Sequence, residues 1–310
     1  MNNNNKAMLF IGNGFDLSLG RQTGYSDFYK KSELLRQYAD KGNELCKHII
    51  ANITGVLWKD LECGLYKYSL EITKQFGVGN TKVAATFQKE FNELRSALFH
   101  YLTNESNKSV EAGGLVTCLM PEWKRLDLQC LSFNYTTTIA LYLSGKDDRL
   151  CFNTDDSINT DVLIYRHGTL YNSKEACDNN PDEIVVGIDD SQVVELLHSF
   201  LYKTQQHVQY PTDELVKSIE RQDIYIIYGC SMGDSDKFYF KTLFNPTATN
   251  KCYIIYGFKN DGITNIKSVV RQFVGDLNIF ESKNKVRYID CSKVECVKQT
   301  KDIIDSLLKS

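Results

Sequence analysis

The sequence predicts an α/β protein built on a parallel sheet with helices on both faces, carrying a helical insertion after its first strand. Three observations predict it. Short apolar runs recur along the chain, several of them closing on glycine. In the last third these runs alternate regularly with helical text, the pattern of strands buried on both faces and joined by crossover helices. Between the first run and the second lies a stretch too long for a plain loop, and its apolar residues repeat at helical spacing.

Taken in order, residues 7–11 are continuously apolar and stop at Gly12-Asn13-Gly14, a buried strand ending in a tight turn. From Ser26 to Leu102 the text is helical; Phe87, Phe91, Leu94 and Leu98 mark one face of an amphipathic helix. Gly77-Val78-Gly79-Asn80 divides this region, and the insertion is assigned to residues 29–120. Residues 126–133 restore a strand, followed by Asn134 and a helix through Leu143, and 145–161 form an Asp/Asn-rich loop. Residues 162–165 and 183–187 are two further strand candidates, with helical text over 193–206 and again after Pro211. Strands at 223–228, 251–256 and 285–289 then alternate with helices near Asp236, over 263–274 and over 294–308. The whole chain, 1–310, reads as one Rossmann-like domain with its insertion.

Composition narrows the function. Hydrophobic residues make up 42% and charged residues 24%, enough to bury a core without metals or disulfides. The net charge is −3, from 36 basic and 39 acidic residues, and no basic run stands out. A nucleic-acid partner is therefore not expected, because such binding needs a basic face to release counterions from phosphate. The ten cysteines form no C-x-x-C pair, the closest spacing being Cys291 and Cys296. That pattern speaks against structural zinc and for reduced thiols in the cytoplasm. The polar residues 1–6 and the short apolar run behind them do not make a signal peptide. No stretch approaches the ~20 apolar residues of a membrane helix, so a cytoplasmic protein without a membrane partner is expected.

In open α/β sheets ligands bind outside the carboxyl ends of the strands, and four such ends carry suggestive residues. Gly12-Asn13-Gly14-Phe15-Asp16 would let a backbone approach a phosphate at a helix start, although Leu17 stands where the dinucleotide fingerprint needs a third glycine. A structural turn explains the same residues. In Ser132-Phe133-Asn134-Tyr135-Thr136, Asn134 can donate and accept at once, fixing a sugar hydroxyl and a water, or it can cap the following helix. In Arg166-His167-Gly168, His167 is a base near neutral pH or a structural histidine. Gly229-Cys230-Ser231-Met232-Gly233-Asp234-Ser235-Asp236 suits a phosphate, a ribose or ordinary capping.

The order of these motifs adds to each of them. Gly12-Asn13-Gly14-Phe15-Asp16-Leu17, then Gly20, Thr23, Tyr25 and Asp27-Phe28, resembles the N-terminal signature of the AbiH abortive-infection family. The resemblance continues through Trp58-Lys59-Asp60-Leu61-Glu62, Phe133-Asn134-Tyr135-Thr136, His167-Gly168, Gly187-Ile188-Asp189 and the segment 229–236. AbiH proteins are more remotely similar to sirtuin-like NAD-binding domains. That likeness implies a sirtuin-like fold, with Gly12, Asn13, Gly14, Phe15 and Asp16 in a first cofactor loop and Gly229, Ser231 and Asp234 at the distal nucleotide. It also implies Asn134 and His167 as the catalytic residues. Thr136 stands where sirtuins have an aspartate, and their four-cysteine zinc module has no counterpart here. These departures speak against protein deacylation and leave hydrolysis or binding of a nucleotide.

The reading that follows is an anti-phage hydrolase with NAD, or a related nucleotide, as ligand or substrate, cleaved at the nicotinamide–ribose bond. An oxocarbenium-like transition state needs the ribose held and a water supplied from the opposite face. Candidate partners are the nucleotide, a phage-derived trigger and a second copy of the chain. One alternative is a non-catalytic nucleotide-sensing module, favoured by Thr136. Another is a nuclease or phosphodiesterase whose Asp16, Asp60, Glu62 and Asp234 gather a divalent metal. Asp60 and Glu62 read as a solvated helix face, unless the insertion folds over the sheet and brings Glu62 to the pocket.

Overall fold

The computed structural model describes residues 6–52, 59–109, 114–144, 163–165, 184–188, 191–206, 212–233, 236–258 and 262–309. Six strands, β1 (Lys6–Ile11), β2 (Asp127–Ser132), β3 (Leu163–Tyr165), β4 (Ile224–Tyr228), β5 (Cys252–Gly257) and β6 (Lys285–Asp290), form one sheet in the order β3-β2-β1-β4-β5-β6. Every pairing is parallel, so the arrangement is Rossmann-like α/β as the alternating text predicts. Strand order reverses between β1 and β4, which opens the ligand crevice of such sheets at their carboxyl ends. Ile11 lies level with Ser132 on one side and Tyr228 on the other, so the loops after β2, β1 and β4 leave side by side.

Between β1 and β2 lie α1 (Gly14–Leu17), α2 (Tyr25–Lys31), α3 (Glu33–Asp40), α4 (Glu44–Ala51), α5 (Lys59–Phe76), α6 (Thr81–Ser106) and α7 (Leu115–Trp123). After β2 come α8 (Thr138–Ser144), α9 (Thr212–Glu220) before β4, α10 (Lys237–Leu243), α11 (Gly262–Val274), α12 (Leu277–Lys283) and α13 (Cys296–Lys309). Alternation along β1 assigns the two faces of the sheet. Ala7, Leu9 and Ile11 pack with Trp123 of α7, Ile139 of α8 and Ile304 of α13. Met8 and Phe10 pack with Leu215 of α9, Phe240 of α10, Val270 of α11 and Phe280 of α12. β4 is buried at all five positions, which explains its unbroken apolar text. Among the described residues no helix is long and apolar enough to cross a membrane.

A third core joins α2 to α6 through Phe28, Leu45, Leu65, Phe87, Phe91 and Leu98. The break between α5 and α6 falls at the predicted glycines, since Gly77 and Gly79 both hold φ +78° and Asn80 Oδ1 accepts from Val83 N at 3.2 Å. α7 belongs to the sheet cover, with Val116, Leu119 and Trp123 facing the strands.

Two expectations are corrected here. Among the described residues, 184–188 do not join the sheet; Ile184, Val186 and Ile188 enter the helical core, and Ile188 forms an isolated bridge to Tyr202. The Gln206 side chain supplies the missing ladder, its Oε1 accepting from Val186 N at 3.0 Å and its Nε2 donating to Val186 O at 2.5 Å. The helix read over 193–206 is instead two 3₁₀ turns, Leu196–Leu201 and Lys203–Gln205, separated by extended Tyr202. Its apolar residues cap the helical core rather than line one helical face, as Leu201 and Phe200 show. α12 was absent from the sequence reading, although Asp276 caps it by accepting from Asn278 N and Ile279 N.

The first 3₁₀ turn is pinned by a buried histidine. Ser69 Oγ on α5 and His198 Nδ1 share a hydrogen bond of 2.8 Å, and Glu195 Oε2 lies 3.9 Å from His198 Nε2. Both Ser69 and His198 are buried with no opening to solvent, so the trio is a structural pin. Burial holds the His198 pKa below 6.5, with Glu195 opposing the shift. Below about pH 6.5 the unfolded chain takes a proton that the folded chain refuses, so stability present above that pH is lost as pH falls. Urea unfolding should show a loss of up to roughly 1.4 kcal/mol per pH unit, absent in His198→Gln.

Candidate functional site

The first loop is shaped by its glycines. Gly12 N donates to Tyr228 O at 3.1 Å and Gly14 N to Gly229 O at 3.0 Å, tying the exit of β1 to the exit of β4. A Cβ on Gly14 would lie 2.5 Å from Gly229 Cα, and one on Gly12 would lie 2.7 Å from Gly229 O. Gly229 itself sits at φ +67° with Phe15 N only 2.6 Å from where its Cβ would stand. These glycines let two backbones cross, and the amides of Gly12 and Gly14 are committed to that crossing rather than turned to a phosphate. α1, at four residues, is likewise too short to present a helix dipole to an anion.

The side chains of the loop divide. Phe15 is fully buried and meets Tyr142 and Tyr228 edge-on at 5.8 and 6.2 Å, a packing position. Asn13 Oδ1 accepts from Thr23 Oγ1 at 2.6 Å, which closes the loop on itself. Asp16 is 1% exposed and faces the loop after β2, where Thr136 Oγ1 donates to its Oδ2 at 2.6 Å. Thr138 Oγ1 donates in turn to Thr136 Oγ1 at 3.2 Å. Burial raises the Asp16 pKa above its ordinary value, with the Thr136 hydrogen bond, the Arg21 charge and Thr138 opposing. Asp16 Oδ1 is buried without a hydrogen-bond partner within the protein.

Asn134 lies two residues from Thr136 and is 5% exposed. Its main-chain N donates to Ser132 Oγ at 3.2 Å, and neither Oδ1 nor Nδ2 has a partner within the protein. It does not cap α8, which begins four residues later. A buried polar group without a partner costs about 1–3 kcal/mol, so each such group calls for a reason, a bound ligand among them.

The remaining sequence candidates fall in three places. Ser231 is exposed after Cys230 on the β4 loop, and Cys230 is a thiol pushed up by burial, by Asp236 and by Cys130. His167 and Asp234 lie outside the described residues, as do Trp58 and the side chain of Asp60. Glu62, on α5, does come over the carboxyl end of the sheet. Its Oε1 stands 2.7 Å from Lys203 Nζ, which also lies 3.9 Å from Asp236 Oδ1. Tyr135 anchors the same region by donating to Val185 O at 3.0 Å, and its phenol is raised by burial, then by Glu62 and Asp236. Among the described residues no group of three or more histidine, cysteine or acidic side chains is placed to hold a metal ion.

Sequence reasoning missed Lys203, because nothing in the spacing of 193–206 marks it as the cation between two carboxylates. It met Thr136 only as a departure from a family pattern and did not see that Asp16 reaches it.

The model of the family "Bacteriophage abortive infection AbiH" matches residues 8–258. The chain belongs to the AbiH family. No curated protein matches the sequence. The matched span runs from β1 through β5 and contains every loop described above, so the candidate site of this AbiH protein lies inside the family's territory. Membership assigns it to abortive infection, the anti-phage defence for which the family is described.

Proposed function

We propose that this AbiH protein binds NAD or a related nucleotide and hydrolyses its nicotinamide–ribose bond during anti-phage defence. The observation that carries the reading is the Asn134 carboxamide, buried at the carboxyl end of β2 with neither its oxygen nor its nitrogen hydrogen-bonded within the protein. A carboxamide can accept from a ribose hydroxyl while donating to a water, the two tasks that glycosidic cleavage sets. Asp16, one strand away, adds a buried acceptor without a partner. Ser231 suits the distal nucleotide, and His167 accepts a proton from a ribose hydroxyl or from the water, the role that the resemblance implies. With the Gly12 and Gly14 amides engaged, contact with the diphosphate falls to other groups of the same edge.

The test is NAD consumption by the purified chain, wild type beside Asn134→Ala, with calorimetry of NAD binding on the same samples. Turnover should fall at least about a hundredfold in the variant, the scale of removing one preorganised polar group. Wild-type turnover in His167→Ala would remove that residue from the chemistry. NAD binding without turnover selects a sensing module, and neither binding nor turnover means that these motifs serve the fold alone.

A further inference from the structure

The nucleotide reading gives one buried carboxylate, Asp16, no part in the bond cleavage itself. Asp16 is held by β1 and α1 at the exit of the central strand, and only one of its oxygens is engaged. Thr138 donates to Thr136 and Thr136 donates to Oδ2, so two hydroxyls line up to fix the carboxylate plane. Arg21 donates its main-chain N to Asp16 O at 3.1 Å, but it directs Nη1 to Glu105 O at 2.6 Å and its guanidinium acts on the carboxylate only through its charge. A purely structural aspartate at a strand end would have both oxygens satisfied, by a cap or an ion pair. Here Oδ1 is buried without a hydrogen-bond partner beside the loop that carries Asn134, whose own amide is buried and without a partner at both ends.

Resting on that reading, we propose that Asp16 is a catalytic residue of the cleavage, with Oδ1 taking the proton of the attacking water while Asn134 holds the water in place. The water oxygen forms a bond to the anomeric carbon of the ribose. The carbon–nitrogen bond to nicotinamide breaks, and its electron pair discharges the pyridinium nitrogen. The water proton passes to Oδ1 and from there to solvent. The class of substrate is a ribonucleotide with a positively charged nitrogen leaving group, which departs without needing a proton. Burial favours the arrangement, because a carboxylate whose pKa is raised above its ordinary value takes up a proton more readily.

Two variants test the proposal against a structural role. Asp16→Asn keeps an oxygen for Thr136 to donate to, and should lower kcat by about a hundredfold or more with NAD affinity within about threefold of wild type. Thr136→Val removes the hydrogen bond that holds the Asp16 pKa down, so the acid limb of its pH–rate profile should move to higher pH. A structural Asp16 would leave that limb where it is. Asp16→Asn at the wild-type rate, affinity lost in step with turnover, or an unmoved limb in Thr136→Val each overturns the proposal. If Asp16→Asn shows no cooperative melt, the Thr136→Val profile decides alone. Wild-type protein that neither binds nor consumes NAD overturns the nucleotide reading and this proposal with it, whereas wild-type turnover with an active Asp16→Asn overturns this proposal only.

Discussion

Gly229→Ala is expected to lose roughly 2–4 kcal/mol of stability, from about 1 kcal/mol of positive-φ strain and 1–3 kcal/mol of overpacking. The added Cβ would stand 2.6 Å from Phe15 N and 2.7 Å from Gly14 C, both backbone atoms with no rotamer to turn aside. Relief by separation would stretch the Gly14 N to Gly229 O hydrogen bond that joins the two loops. Gly79→Ala supplies the control. That residue holds φ +78° with open space around it, so only the conformational strain of about 1 kcal/mol should appear. Urea unfolding of both variants separates the two contributions. Equal losses would mean that the crossing of the β1 and β4 loops yields without cost, and that the glycines are there for φ alone.

Lys203→Met is expected to lose about 3–5 kcal/mol, the range for removing one member of a buried ion pair. Lys203, Glu62 and Asp236 have side-chain exposures of 9%, 16% and 14%, so water cannot replace the lost cation. Two carboxylates would then share one poorly hydrated space beneath α5. Adding Glu62→Gln should restore part of the loss, and the coupling from a double-mutant cycle measures the pair directly. A loss below about 1 kcal/mol in Lys203→Met would show that the trio behaves as an exposed ion pair. The same variant reports on function, because Glu62 comes from the helical layer and Asp236 from the loop after β4. If that bond holds the helical layer over the carboxyl end of the sheet, NAD binding should weaken with it.

Much of the architecture is legible along the chain. β4 and β5 read as unbroken apolar runs because helices cover both of their faces, leaving no solvent side for polar residues to mark. The break between α5 and α6 is visible because two positive-φ positions admit glycine far more readily than other residues. The loops of the site were visible by composition, but their roles were not. Gly12 and Gly14 carry the same letters whether a backbone or a phosphate approaches them, and here it is the backbone of Gly229. Residues 184–188 look like a strand because they are a short, wholly buried apolar run, yet their partner is the amide of Gln206. No local pattern announces an amide about twenty positions on.

The class of the fold, the position of the helical layer between the first two strands and membership of the AbiH family can all be read along the chain. Each depends on local periodicity or on short ordered motifs, which are properties of neighbouring residues. Folding in three dimensions is what brings Asp16 to Thr136 across 120 positions, joins Lys203 to Glu62 and Asp236, and buries Asn134 with its amide unpartnered. Those facts arise where strands adjacent in the sheet are distant in the chain, and the balance of burial against hydrogen bonding there is set by how the layers close.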